Sequence, residues 1–298
     1  MTTASAGARP TPSAVDAAVA VPPPPRIPAR VWGRLRTGAL ALWSGLAILY
    51  LFLPIFLVIL FSFNDPRGRF NYTWQGFTLD HWKHPFGVEG LGQAVSNSLQ
   101  IAAISTVIAL ILGTGMALAL VRHRFKGRGT VDMFTFLPLA SPEVVLGAAL
   151  LALFLTMNVA TGFVTIVIAH VMFNVSYVVV TVKARLEGMD RYIEEAAMDL
   201  GANDWVTFRK VTLPMILPGL AAAGLLAFVL SLDDFVITNF NAGETQTFPL
   251  FIWGAARQGV PPQVNVIATA LLVAALVLMA LNLLVQRRRG AADVAAGA

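Results

Sequence analysis

Six long apolar blocks, at approximately residues 38–63, 97–121, 133–157, 161–182, 214–238 and 263–286, decide what this chain can fold into. Each is long enough to cross a hydrocarbon core of ~30 Å, which takes ~20 residues of helix. A backbone in lipid must satisfy its own hydrogen bonds, so blocks of this length read as spanning α-helices. The expected fold is all-α and transmembrane, with six helices. Composition agrees, at 57% apolar and 12% charged residues, where soluble domains run nearer a quarter charged.

The formal charge of +5 would also suit a nucleic-acid surface, but the positions of the charges exclude that reading. With both termini placed in the cytoplasm, 17 of the 21 Lys and Arg fall in inner segments and 4 in outer ones. Such a split is a topology signal and requires an even number of spans. The cluster Arg122, Arg124, Lys126 and Arg128 and the run Arg287-Arg288-Arg289 read as topology determinants first and anionic-lipid contacts second.

Residues 1–37 are rich in Ala and Pro, with Pro22-Pro23-Pro24-Pro25, and read as a disordered cytoplasmic tail with too little apolar surface to fold. The apolar block behind them is too long for a signal peptide and lacks a cleavage site. Residues 38–289 form the six-span domain, and 290–298 a flexible cytoplasmic tail. No cysteine is present, so disulfides and thiol chemistry are excluded. Three pairs with small-xxx-small spacing, Ala109 with Gly113, Gly219 with Ala223, and Ala270 with Ala274, suit close helix contacts inside a bilayer.

The inner loop at 183–213 differs from every other connection because it reads as two short helices. Asp190 is a suitable N-cap, Glu194 and Glu195 lie where the helix dipole favours negative charge, and Gly201 suits the end of the helix. Asn203 or Asp204 then caps a second segment that carries Trp205 and Phe208 on one face. Pro214 is expected to end that segment and open the fifth span. A folded amphipathic hairpin on the inner face of a bundle is a docking surface for another protein.

Glu195-Ala196-Ala197, Gly201-Ala202, Phe208, Val211, Leu213 and Pro214 together resemble the EAA loop of bacterial ABC importer permeases. Residues 38–289 more broadly resemble the polyamine importer permeases of the spermidine/putrescine type. That likeness rests on Leu137-Pro138, on Ser141-Pro142-Glu143-Val144-Val145-Leu146-Gly147, on Ser176-Tyr177-Val178-Val179-Val180-Thr181-Val182 with Arg185-Leu186, and on Ser231-Leu232-Asp233-Asp234-Phe235. It implies the core of a type I importer permease in the bacterial inner membrane. The implied partners are a second, homologous permease, two cytoplasmic ATPase subunits and an extracytoplasmic substrate-binding protein. Glu195, Ala196, Ala197, Gly201, Phe208 and Pro214 would couple the chain to the ATPase. No cofactor is expected on this chain; ATP and Mg would sit on the partner.

Polar groups inside spans need an explanation, since an acid at mid-bilayer costs ~2.5–3.5 kcal/mol on insertion scales. Glu143 lies eleven residues past Asp132, or ~16 Å into the third span. Ser141-Pro142-Glu143 is a helix-start signature, and Pro142 lacks the N–H that would bond residue 138, so that span is expected to break there. Broken helices in transporters line cavities, although a buried cap is the alternative reading. His170, Asn174, Tyr177 and Thr181 share one face of the fourth span, either as a polar strip along a pathway or as interhelical hydrogen-bond glue. Tyr177 could offer its ring to an alkylammonium, and His170 reads as a satisfied core histidine. Asp233 and Asp234 lie ~28–30 Å along a helix from Pro214, which puts them near the outer mouth. Adjacent residues point ~100° apart, so both cannot face one pore; a cationic substrate would explain one and a salt bridge to the partner subunit the other, with two solvated interfacial acids as the alternative.

His81 and His84 have ligand-like spacing but no third partner, so no metal site is expected. The chain has no P-loop, zinc-binding helix motif or nucleophile elbow, which argues against an enzyme. Ferric iron, thiamine or sulfate remain alternative solutes for the same fold. A channel or secondary transporter without an ATPase is the distant alternative.

Overall fold

The computed structural model describes residues 29–68 and 70–296, with side chains for 37–68, 70–281 and 284. The Pro-rich segment up to residue 28 lies outside the described residues. Contacts divide the chain at residue 56 into two units. Helix α1 (Ala29–Phe61) carries the first span, Thr37–Phe61, and its backbone is helical from Ala29, inside the expected tail.

The second unit contains α2 (Asp80–Lys83), α3 (Leu91–Arg122), α4 (Arg128–Ala140), α5 (Glu143–Thr156) and α6 (Phe163–Glu187). Next come α7 (Tyr192–Asp199), α8 (Asp204–Thr207), a π-helical segment (Phe208–Thr212) and α9 (Leu213–Asp233). The chain closes with α10 (Val236–Asn241), α11 (Phe248–Gln258) and α12 (Pro262–Ala296). Helix α12 continues through most of the expected terminal tail. Among the described residues the only β-pairing is one isolated bridge, Asn64 with Phe77. Five single helices are long and apolar enough to span a membrane, and the α4–α5 pair makes a sixth.

The core of the second unit is a triple contact of α3, α6 and α9. Ala109, Ala117, Val178, Val179, Ile216, Ala223 and Ala227 are buried together there. Lipid is as apolar as these side chains, so close van der Waals approach, rather than exclusion from water, holds such helices together. Two of the three expected small-residue pairs serve this purpose. A Cβ on Gly113 would come within 2.7 Å of Val178, and one on Gly219 within 3.1 Å of the Arg185 side chain. Ala223 is fully buried one turn above Gly219. The third pair is a correction: Ala270 and Ala274 face outward, because α12 meets the bundle through Val264, Ile267 and Leu271 instead. We expect Gly113→Leu to overpack the α3–α6 crossing at a cost of ~1–3 kcal/mol. Thermal unfolding in detergent measures it, and an unchanged midpoint would show that the crossing can yield.

The third span breaks as expected. Helices α4 and α5 meet at Ser141-Pro142 with a bend of 108°. Ser141, however, does not cap α5; its hydroxyl donates back to the Leu137 carbonyl at 2.8 Å and so finishes α4. The Pro142 carbonyl accepts from Val145 and Leu146, which starts α5 at Glu143.

The fifth span departs from expectation twice. Pro214 does not separate two helices, since the chain is helical from Asp204 to Asp233. A proline at 214 removes the N–H that would bond the residue 210 carbonyl. The wider π turn just before it absorbs the defect, with Leu213 N–H donating to Phe208 O. At its far end the span breaks without proline or glycine. Asp234 has extended ψ (120°), and its carboxylate accepts from the backbone of Ile237 (3.4 Å) and Thr238 (2.7 Å). An aspartate that captures these amides competes with continued helix: it ends α9 as its C-cap, and α10 begins after Phe235.

Candidate functional site

The two breaks meet. Glu143 begins α5 and Asp233 ends α9, so an acid stands at each break. Helix α10 brings them together by packing on both α5 and α6. A Cβ on Gly147 would stand 2.7 Å from the Phe240 ring and 3.3 Å from Ile237 Cα, so only glycine admits α10 this closely. Asn241 Nδ2 donates to the Gly147 carbonyl at 3.3 Å, and Thr165 Oγ1 donates to the Asn241 carbonyl at 2.8 Å.

Asp234 points into the bundle. Beyond the α10 amides, it accepts from Thr238 Oγ1 at 2.8 Å and lies 3.2 Å from His170 Nε2. His170 Nδ1 is 2.6 Å from Ser231 Oγ, which is 3.0 Å from Ser105 Oγ. His170 is thus the satisfied core histidine that was expected, and it ties α3, α6 and α9 across the break. Asp233 is exposed on its own chain and lines a cavity of about 470 Å³. Phe235, Phe248, Trp253 and Leu272 wall that cavity. Trp253 packs against Phe235 with ring centres 5.0 Å apart, and the Arg257 guanidinium sits 5.1 Å above its ring.

Asp233 is the last residue of the helix, Asp204–Asp233, that carries the fifth span. Asp234 is level with His170, seven residues or ~10 Å inside the far end of α6. Near the other end of α6, Arg185 Nε donates to the Met215 carbonyl at 3.2 Å.

The face carrying His170, Asn174, Tyr177 and Thr181 turns inward. Asn174 is 0% exposed, enclosed by its own chain, and its amide finds no partner among the described residues. Helical spacing placed these residues on one face; the packing of α3 and α9 decides which way it looks. Tyr177 meets Phe173 edge-on at 5.1 Å beside Leu150 and Phe154, and Thr181 bonds its own helix at the Tyr177 carbonyl. Among the described residues no group of three or more His, Asp or Glu is arranged to hold a metal.

At the opposite end of the bundle the loop forms the expected pair of short helices. Asp190 Oδ1 accepts from Tyr192 N–H at 3.0 Å, and Asn203 Oδ1 accepts from Val206 N–H at 2.9 Å. Gly201 has φ +90°, the left-handed conformation that ends α7 and turns the chain. Glu195, Ala196 and Gly201 are exposed, Ala197 half-buried. Leu200, 90% exposed, and Trp205, tilted against Phe208 with ring centres 5.8 Å apart, add apolar surface. Sequence reasoning gave Glu194 only a helix-dipole role, but the helix sends it the opposite way from Glu195, into a partner of its own. Glu194 turns inward to Arg122, at 2.9 Å, and to Thr212. Arg122, read from sequence as a topology determinant, is consequently an internal ion-pair partner. Lys183 and Asp132, 2.6 Å apart, tie α6 to α4 nearby.

Comparison with known proteins places this architecture. The chain belongs to the family described as binding-protein-dependent transport system inner membrane components, whose model matches residues 109–290. It is therefore a multi-pass inner-membrane permease component and not a catalytic subunit. It is 38% identical to the spermidine/putrescine transport system permease protein PotC of Haemophilus influenzae over 80% of this chain and 93% of the relative. It is 39% identical to PotC of Escherichia coli K12, over 80% and 90% of the two chains. The putrescine permease PotI of the same strain matches at 39% over 76% and 83%. In fold it is similar to a bacterial ABC transporter that imports alginate, with TM-score 0.64 at 19% identity, covering 87% of this chain and 99% of that one. The MetNI methionine transporter, inward-facing, gives TM-score 0.57 at 16% identity over 66% and 95%.

Proposed function

We propose that this chain is the permease subunit of an ATP-driven importer of polyamines, forming the pathway with a second, homologous permease. The observation that carries the substrate class is an acid at each of two helix breaks, Glu143 and Asp233, both exposed on their own chain. Acids among membrane spans are costly unless they meet a partner charge. A flexible oligoamine, with ammonium groups spaced along an apolar chain, relieves that cost. The Trp253 and Phe235 rings beside Asp233 suit its methylenes. Asp234 holds the break in place through His170, while Asn174 and Tyr177 stand behind the surface that the solute meets. The permeases named as relatives serve spermidine and putrescine, which supports the same class here.

Both termini lie in the cytoplasm in this reading. The loop with Glu195, Ala196, Ala197, Gly201 and Phe208 faces one of two cytoplasmic ATPases, and Pro214 sets its junction with the fifth span. An extracytoplasmic binding protein delivers the solute to the other face. ATP-driven closure of the ATPases draws the two coupling loops together and rocks the bundles; hydrolysis returns them. The test is uptake of labelled spermidine and putrescine in cells lacking other polyamine systems, with and without this gene. Uptake should fall to background on deletion and return with the wild-type gene. Unchanged uptake would remove the polyamine assignment.

A further inference from the structure

Helix α7 contains no buried residue, so no apolar core fixes it to the bundle. Its recorded ties to α3 are polar and converge on one residue. Arg122 Nε lies 2.9 Å from Glu194 Oε2, and Nη2 donates to Oε1 at 3.2 Å. Arg191 Nη2 donates to the Arg122 carbonyl at 3.4 Å. Thr212 Oγ1 donates to the same Glu194 Oε1 at 2.7 Å, from the π turn that leads into α9. The Arg122 and Glu194 side chains are only 11% and 12% exposed, so water neither screens nor replaces the bond. One carboxylate thus joins the loop helix to the ends of two core helices, α3 and α9. A cavity of about 360 Å³ lies alongside, between Leu118, Met198, Asp204 and Phe208. The loop has room to shift there if the bond is cut.

We infer that Glu194, clasped by Arg122 and Thr212, is the positioning residue that makes the loop and the core move as one body. This rests on the coupling reading of the loop given above, but assigns the mechanical link to a residue outside the Glu195-Ala196-Ala197 motif. Glu195 meets the partner; Glu194 carries the resulting displacement into α3 and α9. An ion pair with a hydroxyl partner suits this task because it is directional, whereas an apolar contact would let the loop slide.

The test uses the complete transporter reconstituted with its partner subunits. The chain has no cysteine, so a spin-label pair can be introduced at Tyr192 on α7 and Ile111 on α3, both exposed. In the wild type the label distance should stay fixed when ATP is added. In Glu194→Gln it should change by about one helical turn, ~5 Å, while uptake per ATP hydrolysed falls at least tenfold. The exchange Arg122→Glu with Glu194→Arg should restore the fixed distance and at least a third of the uptake. Should Glu194→Gln not assemble, Thr212→Val, which deletes one hydrogen bond, takes its place and is expected to lower the ratio threefold or more. An unchanged distance and an unchanged ratio in the assembled variant overturn the inference. The label distance needs no transported solute, so it is decided even if the uptake assay removes the polyamine assignment.

Discussion

Replacing Glu143 and Asp233 together by their amides should lower spermidine uptake at least a hundredfold while the transporter still assembles. A hydrogen bond to a charged group contributes ~1.5–3 kcal/mol, so each acid lost should cost roughly ten- to a hundredfold. Each single variant is expected near the lower figure, because the remaining carboxylate still holds one ammonium. Both residues are exposed on their own chain, so their removal orphans no buried group. Asp234→Asn supplies the contrast. Its carboxylate accepts from the Thr238 amide and hydroxyl beside His170, so the amide variant should lower thermal stability and assembly first. Initial uptake rates, normalised to the assembled transporter in the membrane, separate the two effects. Near-normal rates in the double variant would show that the acids at the breaks do not meet the substrate.

The contrast between these neighbouring aspartates marks where the sequence was legible. Six apolar blocks announced six crossings, because lipid forces length and composition on each one separately. The α4–α5 break was equally plain, since Pro142 removes a donor whatever surrounds it. The α9–α10 break was not, because Asp234 makes it with a side chain that is equally at home as a surface charge. Only the packing of α6 alongside, with His170 at the right height, commits that carboxylate to α10. Nor was the continuity at Pro214 legible, because the π turn carries the helix unbroken through the proline. Likewise no local pattern gives Glu194 its inward partner. That partner is Arg122, seventy-two residues earlier in the chain.

Gly201→Asp should abolish uptake while leaving the chain inserted and the permease pair intact. At φ +90° a side chain costs ~1–2 kcal/mol of local strain. Yet among the described residues, its chain neighbours aside, nothing lies within 4 Å of where a Cβ would stand. The substitution should therefore be absorbed by the isolated subunit and felt only where the loop meets its partner. Two further variants divide strain from contact. Asparagine tolerates the left-handed region better than most residues, so Gly201→Asn keeps the turn while adding bulk. Alanine adds almost no bulk but carries the strain. If the docking surface is what matters, Gly201→Asn should fail nearly as badly as Gly201→Asp, and Gly201→Ala should retain most of the uptake. The reverse order would mean that the turn itself is critical. Co-purification of the ATPase in mild detergent, alongside uptake, reads the difference: a contact defect loses the ATPase with the permease pair preserved. Full uptake in Gly201→Asp would remove the loop from the coupling path altogether.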